Sequence, residues 1–322
     1  MELGLAIDLG SDRDSVATRL TDARRLLALA EEHGFKSVWF GEGYPSRPGS
    51  FHLPSSLLML ASVASATSLT LGSGVTLLPA WSLLRLAYDA ALLDQASEGR
   101  LVLGVGLGTP ALWHRFGLPT ARMADRADEM LQALRALWRG EDGFQGELVS
   151  VDGRIFPLPS QAGGPPVWVG GRVRRSARRA ARFGDGWYAA TSYRLSEIAR
   201  MVAAYRLACS EAGREPGPIA VNRIMVVSGE RKAARPYIEA LLARYVRIGS
   251  ILGDDGHPVD QAGALALEDE LVLAGDMDQV REGLERYARA GVTHLQARPW
   301  PSDMPIEMVE RTIQSLGGAR SE

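Results

Sequence analysis

Residues 69–105, which read LTLGSGVTLLPAWSLLRLAYDAALLDQASEGRLVLGV, show the strand and helix pattern on which the fold prediction rests. An extended apolar run over residues 69–75 is followed by a helical pattern over residues 84–96, which ends before Gly99. A second extended run covers residues 100–105. A strand, a helix and another apolar strand in this order predict two parallel strands joined by a crossover helix.

The same alternation continues in both directions along the chain. The other predicted strands are residues 3–8, 36–41, 166–169, 186–190, 219–228 and 292–297. The other predicted helices are residues 16–33, 55–66, 121–139, 176–183, 196–212, 233–248 and 278–290. Eight such units over roughly 300 residues fit a closed barrel better than an open doubly wound sheet. We therefore predict an α/β protein, a (β/α)8 TIM barrel, with a single domain over residues 1–322.

Two stretches fall outside the repeat and predict insertions after the fourth and seventh barrel units. Residues 147–164 predict a short hairpin with Asp152 and Gly153 at its turn. Residues 249–267 are rich in Gly and Asp and predict an excursion that could act as a mobile lid.

Composition excludes several classes of protein. The 36 basic and 38 acidic side chains give a net charge of −2, which argues against a nucleic-acid-binding protein driven by overall charge. Cys209 is the only cysteine, so a disulfide scaffold is impossible. The sequence has no H-E-x-x-H or C-x-x-C motif, and we predict no metal site. We see neither a secretory signal nor an apolar run of about 18–20 residues, so we predict a cytoplasmic protein without a membrane span.

A (β/α)8 barrel places its functional site at the carboxyl ends of the strands. The residues at these ends include many glycines, several aromatic residues and a few arginines, but no evident acid–base pair or nucleophile. Such a set suits a flat, phosphate-bearing cofactor that itself carries the difficult chemistry.

Two segments could contact such a cofactor. Residues 103–110, LGVGLGTP, place glycines at alternate positions and would let a ring or sugar approach the backbone closely, although they do not match G-x-G-x-x-G. The alternative is a tight strand exit without a ligand. Residues 165–187, PPVWVGGRVRRSARRAARFGDGW, predict a strand, a Gly-Gly pair and a helix start, an arrangement that binds anions. Arg172 and Arg174 could pair with a phosphate there, or they could be surface residues. Three further arginines predict a solvated helix face: Arg178, Arg179 and Arg182.

Six segments, in this order and spacing, resemble the luciferase-like superfamily of flavin-dependent monooxygenases and oxidoreductases. They are residues 34–42, 71–75, 92–106, 166–171, 180–187 and 275–292, and the resemblance covers nearly the whole chain. It implies a barrel that binds FMN or the deazaflavin F420 and acts on a small organic substrate, by hydride transfer or by oxygenation. For oxygenation, some members receive reduced flavin from a separate reductase. The acidic tail of F420 needs positive charge, so the arginines after Gly171 favour F420 slightly.

The resemblance also indicates cofactor-binding residues. Members commonly have a non-proline cis peptide in the third strand, and the matching bond is Gly74–Val75; the alternative is a plain glycine bulge. The residues expected to bind the cofactor are Asp8, Gly74, Val75, Gly106, Gly108, Thr109, Gly170, Gly171, Arg172 and Arg174.

One departure from the family concerns proton transfer. Many members have a histidine after the acidic residue of the second strand, but this chain has Gly43 between Glu42 and Tyr44. We predict Glu42 and Tyr44 as the catalytic residues, and His52 could swing in from the following loop. The alternatives are a structural hydrogen bond for Glu42 and an exposed loop position for His52.

Aromatic and basic residues near the strand ends could form a substrate pocket. Arg223 and Arg298 both lie on late strands, and we favour Arg298 as the group that meets an anionic substrate. The residues expected to bind substrate are His52, Trp81, Trp113, Arg298 and Trp300.

The leading hypothesis is therefore an FMN- or F420-dependent oxidoreductase. The missing histidine keeps a non-catalytic flavin-binding barrel open as the alternative. A barrel hydrolase or isomerase has poor support, because no paired acids lie at the strand ends. Residues 83–93 are rich in Ala and Leu and could pack in a homodimer, although an ordinary barrel helix buries the same stripe.

Overall fold

The computed structural model describes residues 1–11, 14–44, 52–227, 231–299 and 304–318. Its strands are β1 (Glu2–Ile7), β2 (Ser37–Phe40), β3 (Thr70–Ser73), β4 (Thr76–Leu77), β5 (Leu101–Gly106), β6 (Phe144–Gln145), β7 (Ser150–Val151), β8 (Val167–Gly170), β9 (Gly186–Ala189), β10 (Ile219–Val227), β11 (Val272–Gly275) and β12 (His294–Arg298). Its α-helices are α1 (Val16–Glu32), α2 (Ser56–Val63), α3 (Leu83–Ala96), α4 (Pro110–Arg115), α5 (Met123–Trp138), α6 (Arg174–Phe183), α7 (Leu195–Glu211), α8 (Arg231–Arg247), α9 (Gln261–Ala266), α10 (Glu268–Leu271), α11 (Met277–Arg289) and α12 (Ile306–Gly318).

Eight parallel strands close into a barrel. Their order is β10, β12, β1, β2, β3, β5, β8 and β9, and β9 pairs again with β10. The register on β1 places Leu5 opposite Val38 on one side and Ala297 on the other. Short β4 continues the third unit and pairs with β5. The predicted (β/α)8 barrel is confirmed.

The main core lies between the barrel and its helices. Alternate strand residues such as Leu5, Val38 and Leu103 point outward and are fully buried. Helix α3 packs against β5 and contributes small buried side chains, including Ala87 and Ala90. This packing explains why the strands read as nearly continuous apolar runs, since both of their faces are covered.

The inner face of the barrel is filled by a few large aromatic side chains. Trp39 stacks on Trp168 with a centroid distance of 4.9 Å, and Tyr188 lies 5.7 Å from Trp39. Glycines on neighbouring strands make this possible: a Cβ atom at Gly72 would overlap the Trp39 ring, and one at Gly186 would lie 2.9 Å from Trp168. Because side chains fill the interior, as in other barrels, a ligand can bind only at an open end.

The insertion between α5 and β8 is a hairpin, but its turn was predicted at the wrong place. Strands β6 and β7 pair antiparallel. The N–H of Gly146 donates to the carbonyl of Val149 at 2.8 Å, so the turn lies at residues 146–149. Asp152 and Gly153 follow β7, where the chain leaves the hairpin.

The insertion between α8 and α11 is more ordered than the sequence suggested. It contains α9 and α10, and it ends in β11, a ninth parallel strand that pairs with the end of β10. Strand β11 was not predicted, because it directly follows a charged segment and no separate apolar run marks it off from the preceding excursion. No helix in the described ranges combines the length and the apolar character needed to cross a membrane.

Candidate active site

Gly74 and Val75 lie at the end of β3, at the mouth of the barrel. Gly74 and Val75 are partly exposed there, and the peptide bond between them is cis, which confirms the prediction. The N–H of Gly74 donates to the carbonyl of Phe40 at 2.9 Å. A Cβ atom at Gly106 would lie 2.8 Å from Val75 Cγ2, and one at Gly170 would lie 3.5 Å from Val75 Cγ1. The absence of side chains at these glycines therefore leaves space for the Val75 side chain, and we call Gly74, Val75, Gly106 and Gly170 the floor.

Glu42 lies buried beside this floor at the centre of a hydrogen-bonded cluster. Trp81 Nε1 donates to its carboxylate at 3.0 Å, and the Tyr44 hydroxyl donates to the same oxygen. Ser56 Oγ and the N–H of Leu77 donate to the other oxygen, each at 3.3 Å. Burial raises the pKa of Glu42, and these donors oppose the rise. The structure thus brings together three predicted site residues, and it adds Ser56 and Leu77, which the sequence analysis missed.

Tyr44 forms one wall of the mouth. Its ring contacts Phe116 edge-on at a centroid distance of 4.6 Å, and Arg115 Nη1 donates to its carbonyl at 2.7 Å. Burial and the neighbouring Glu42 raise the pKa of the Tyr44 hydroxyl. The hydroxyl therefore stays protonated and acts as a donor.

A second cluster forms around Asp8 at the end of β1. His52 Nδ1 lies 3.1 Å from one carboxylate oxygen of Asp8, and Arg298 Nη2 contacts the other oxygen. Arg19 Nη2 donates to the Asp8 backbone carbonyl at 2.9 Å. Asp8, His52 and Arg298 were predicted separately, for the cofactor and for the substrate, and the structure joins them in one chain of contacts.

His52 occupies space that two glycines leave open. A Cβ atom at Gly41 would overlap the imidazole ring, and one at Gly43 would lie 2.9 Å from His52 Cβ. The His52 side chain keeps 23% of its surface exposed. Burial lowers the pKa of His52 to about 4, so its imidazole is neutral at pH 7.

The structure changes the interpretation of Arg298. The side chain is only 1% exposed, and its guanidinium contacts Asp8, the hydroxyl of Tyr245 and, at 3.4 Å, Thr191 Oγ1. A cation so enclosed does not reach an anionic substrate, which corrects the prediction of direct contact. Its position instead fixes the Asp8 carboxylate.

Arg223 also has a structural position. It is fully buried and donates to three backbone carbonyls, those of Thr191, Tyr193 and Leu271, at 3.0, 2.7 and 2.8 Å. These bonds connect the segment after β9 with the start of β11.

The predicted phosphate site lies where β8 leads into α6. Gly171 has a φ of 149°, and a Cβ atom there would lie 2.5 Å from Ser176 Cβ. Arg172 Nη2 donates to the carbonyl of Ser250 at 2.9 Å, and its guanidinium lies 4.3 Å from the Tyr193 ring centroid. Arg174 is exposed in the first turn of α6, and no carboxylate of the described segments pairs with it. The helix start and Arg174 therefore remain accessible to an anion.

The prediction of a fully solvated arginine face on α6 was wrong for one residue. Arg179 is buried, pairs with Asp128 on α5 and donates to the carbonyl of Ala124 at 2.8 Å. Helix α5 packs against this face of α6 and supplies the acid, which a pattern within α6 alone cannot show. Arg178 and Arg182 are exposed, as predicted.

The remaining predicted residues lie around the end of β5. Gly108 has a φ of 70°, and Thr109 caps α4, where its hydroxyl accepts from the N–H of Leu112 at 3.4 Å. Trp113 Nε1 donates to the carbonyl of Leu107 at 2.6 Å, which holds the indole close to the strand end. Trp300 lies outside the described residues.

Two amide side chains inside the barrel were not predicted. Asn222 and Gln296 are register partners on β10 and β12, and both are buried. Asn222 Oδ1 and Gln296 Oε1 have no hydrogen-bond partner within the described part of the chain, a setting that suits ordered water. Alternate residues of the two strands face the barrel interior, and this pattern could have identified Asn222 and Gln296.

The chain matches the family model of the luciferase-like monooxygenases over residues 1–294. It is 30% identical over 295 residues to the F420-dependent hydroxymycolic acid dehydrogenase of Mycobacterium tuberculosis, covering 87% of this chain and 79% of that protein. It is also 30% identical over 173 residues to the phthiodiolone/phenolphthiodiolone dimycocerosates ketoreductase of Mycobacterium bovis. That match covers 51% of this chain and only 44% of the ketoreductase.

The fold is also similar to that of a solved monooxygenase. The crystal structure of monooxygenase RslO1 from Streptomyces bottropensis superposes with a TM-score of 0.85 at 26% identity, covering 100% of this chain and 99% of that one. The chain belongs to the luciferase-like monooxygenase family. Its relatives in this family include an F420-dependent dehydrogenase and the oxygenase component of a flavin-dependent monooxygenase.

Proposed function

We propose that this protein binds F420 in the barrel mouth and interconverts an alcohol and a ketone. The observation that carries the proposal is the floor, of which Gly74, Val75 and Gly170 are partly exposed at the open end of an otherwise filled barrel. A planar ring system would rest on the Val75 side chain, which occupies the space that Gly106 and Gly170 leave open. When bound, F420 would accept or give a hydride.

The residues around the floor would hold the cofactor at two ends. The floor and Trp113 would contact the ring, and the start of α6 with Gly171, Arg172 and Arg174 would bind the phosphate. Gly108 and Thr109 would border the same space from the loop after β5, and Asp8 would lie at its edge. Exposed Arg174 and Arg178 add positive charge along the outer side of α6, where an acidic tail would be stabilised.

Glu42 and Tyr44 would shape the substrate side of the mouth. Glu42 receives hydrogen bonds from both Tyr44 and Trp81, so it would orient these two aromatic walls around a small organic substrate. The protonated hydroxyl of Tyr44 could donate to a substrate oxygen when it leaves Glu42. The names of the two Mycobacterium relatives, a dehydrogenase and a ketoreductase, support alcohol and ketone chemistry.

A second candidate is oxygenation with reduced FMN supplied by a separate reductase. The full-length structural match to the monooxygenase RslO1 favours it. The floor would accept an isoalloxazine as well as a deazaflavin ring, so its shape does not separate the two candidates. They differ in the cofactor and the co-substrate that the protein would use.

The two candidates are separated by turnover. We expect the protein to reduce F420 in the presence of a panel of secondary alcohols. The loss of absorbance near the deazaflavin band measures this reduction. Oxygen consumption with reduced FMN and no activity with F420 would support the second candidate. Binding of a cofactor without turnover in either assay would support the non-catalytic barrel.

We also propose that α3 joins two copies of this chain. Leu84, Tyr88 and Leu92 recur at helical spacing on its outer face and are exposed, with Leu92 at 59%. Three large apolar side chains in a row on a surface helix are typical of a contact face. A two-fold axis would place each stripe against its copy.

A further inference from the structure

We propose that a groove at the amino ends of the barrel strands is a second binding site, which takes a phosphomonoester carried by a flat apolar group. The groove lies between the second half of α5 and the last turn of α6, and the hairpin strand β6 borders it. Its volume is about 510 Å³, within the range of roughly 300–1,000 Å³ that is usual for small-molecule sites. Helix α6 begins at the mouth and ends at this groove, so the groove is separate from the floor and does not depend on the proposed oxidoreductase chemistry.

The first support is the charge of the groove. Its charged lining consists of four arginines and two acids: Arg135, Arg139, Arg182, Arg214, Glu141 and Asp185. The lining therefore carries two more positive than negative charges, although the whole chain has a net charge of −2. A ligand with two negative charges would balance this local excess.

The second support is that two of the arginines keep an uncompensated charge. Neither Arg182 nor Arg214 pairs with a carboxylate among the residues that the structure describes, and Arg182 is exposed. Arg214 Nη1 donates to the carbonyls of Ala181 and Gly184 at 3.0 and 2.7 Å. These bonds cover carbonyls at the end of α6, which would otherwise repel an anion, and they fix the guanidinium at the groove.

The other two arginines have acidic partners. Arg135 pairs with Asp185 and donates to the carbonyl of Pro165 at 3.3 Å, so it belongs to the wall of the groove. Arg139 Nε donates to Glu141 at 2.7 Å, and both of these side chains are about half exposed. An exposed ion pair contributes little stability, so Arg139 can turn toward an anion in the groove.

The third support is an apolar wall beside the arginines. Phe144 of β6 and Phe183 of α6 both line the groove, and both are half-buried. The Arg182 guanidinium lies 5.1 Å from the centroid of the Phe183 ring, which restricts its motion. A planar guanidinium matches a phosphate in two-point hydrogen bonding, and the rings would contact an apolar group attached to that phosphate. The hairpin and Arg182 thus gain a common role, which the site at the mouth does not give them.

The test is calorimetric titration of the full chain with phenyl phosphate at about pH 8, where a phosphomonoester carries two negative charges. We expect saturable binding, weakened at least about tenfold in R182A, because a charge-assisted contact with phosphate is lost. Arg178 is exposed on the same helix but does not line the groove, so R178A is the matched control. Its affinity should stay within about twofold of native. No saturable binding to native protein up to about 10 mM, or equal affinities of native and R182A, would overturn the inference.

A second variant separates the groove from the mouth, where Arg174 could also attract a phosphate. R174A should bind phenyl phosphate within about twofold of native. Weaker binding in R174A together with native affinity in R182A would place the ligand at the mouth and overturn the inference. Failure of F420 to bind would overturn the proposed function instead, and it would leave the outcome for phenyl phosphate unchanged.

The apolar part of the ligand has its own measurement. Inorganic phosphate should bind at least about tenfold more weakly than phenyl phosphate, because it leaves the apolar wall uncovered. F144A should reduce this difference, whereas F156A should preserve it, since Phe156 is 72% exposed in the same insertion and does not line the groove. Equal affinities for the two ligands in native protein would overturn the assignment of an apolar group.

Discussion

Gly41 and Gly43 show how a missing side chain on one segment makes room for a side chain from another. The family position for a histidine is a glycine in this chain, and the imidazole of His52 lies against the vacated space. The sequence analysis recognised both the departure at Gly43 and the candidate His52. It could not show the contact with Asp8, because Asp8 and His52 are far apart in the chain and meet only through the fold of the loop after β2.

At the residue scale, we expect Gly41→Ala to displace the imidazole, because the new Cβ atom would overlap the ring. The free energy of unfolding should fall by about 1–3 kcal/mol, since the added methyl group forces closely packed residues apart. Gly318→Ala is the control, because nothing lies within 4 Å of a Cβ atom there. Equal stability of native protein and Gly41→Ala in chemical denaturation would contradict the placement of His52.

The pH dependence of stability provides another test at this scale. The pKa of His52 falls from 6.5 to about 4 on folding, so the folded state disfavours the charged imidazole. The stability that comes from neutral His52 is present above about pH 6.5 and is lost as the pH falls toward 4. The free energy of unfolding of native protein should therefore fall relative to H52Q by up to about 3 kcal/mol over this interval. Denaturant titrations of native protein and of H52Q at pH 7 and pH 4 measure the difference. An equal change in the free energy of unfolding of both proteins would contradict it.

At the scale of elements, the strands and helices of the barrel could be predicted from the spacing of apolar residues. Each strand is covered on both faces and each helix on one, and these two kinds of burial give different patterns. Short elements were less predictable. Strand β11 has four residues, and the hairpin turn lies at residues 146–149 although Asp152 and Gly153 give a stronger local signal. The burial of Arg179 depends on Asp128 of a different helix. These features depend on tertiary contacts that no local pattern contains.

One buried side chain, that of Arg223, holds several elements together. It joins the segment after β9 to the start of β11 through three carbonyls. We expect Arg223→Met to lower the free energy of unfolding by about 3 kcal/mol, because three buried acceptors lose their donor. Arg178→Met on the exposed side of α6 should change it by less than about 0.5 kcal/mol. Chemical denaturation compares the two, and equal effects would contradict the structural role of Arg223.

At the scale of the whole molecule, the exposed stripe on α3 predicts the oligomeric state. We expect the native protein to be a dimer by light scattering, and Leu92→Glu to shift it toward the monomer, because a charge would be buried at the contact. Leu207 on α7 is equally exposed, at 61%, so Leu207→Glu is the control and should remain dimeric. A native protein that is monomeric throughout would contradict the proposed contact.

The barrel binds its cofactor at the floor, at the carboxyl ends of the strands, if the proposed function is right. Titration of the protein with F420 and with FMN, monitored by fluorescence, measures this binding. We expect saturable binding of F420 in the micromolar range or tighter. Binding should weaken at least about tenfold in Arg174→Ala, which removes the exposed cation at the phosphate site, and should be unchanged in Arg182→Ala at the far end of α6. Absence of binding by either cofactor would contradict the account.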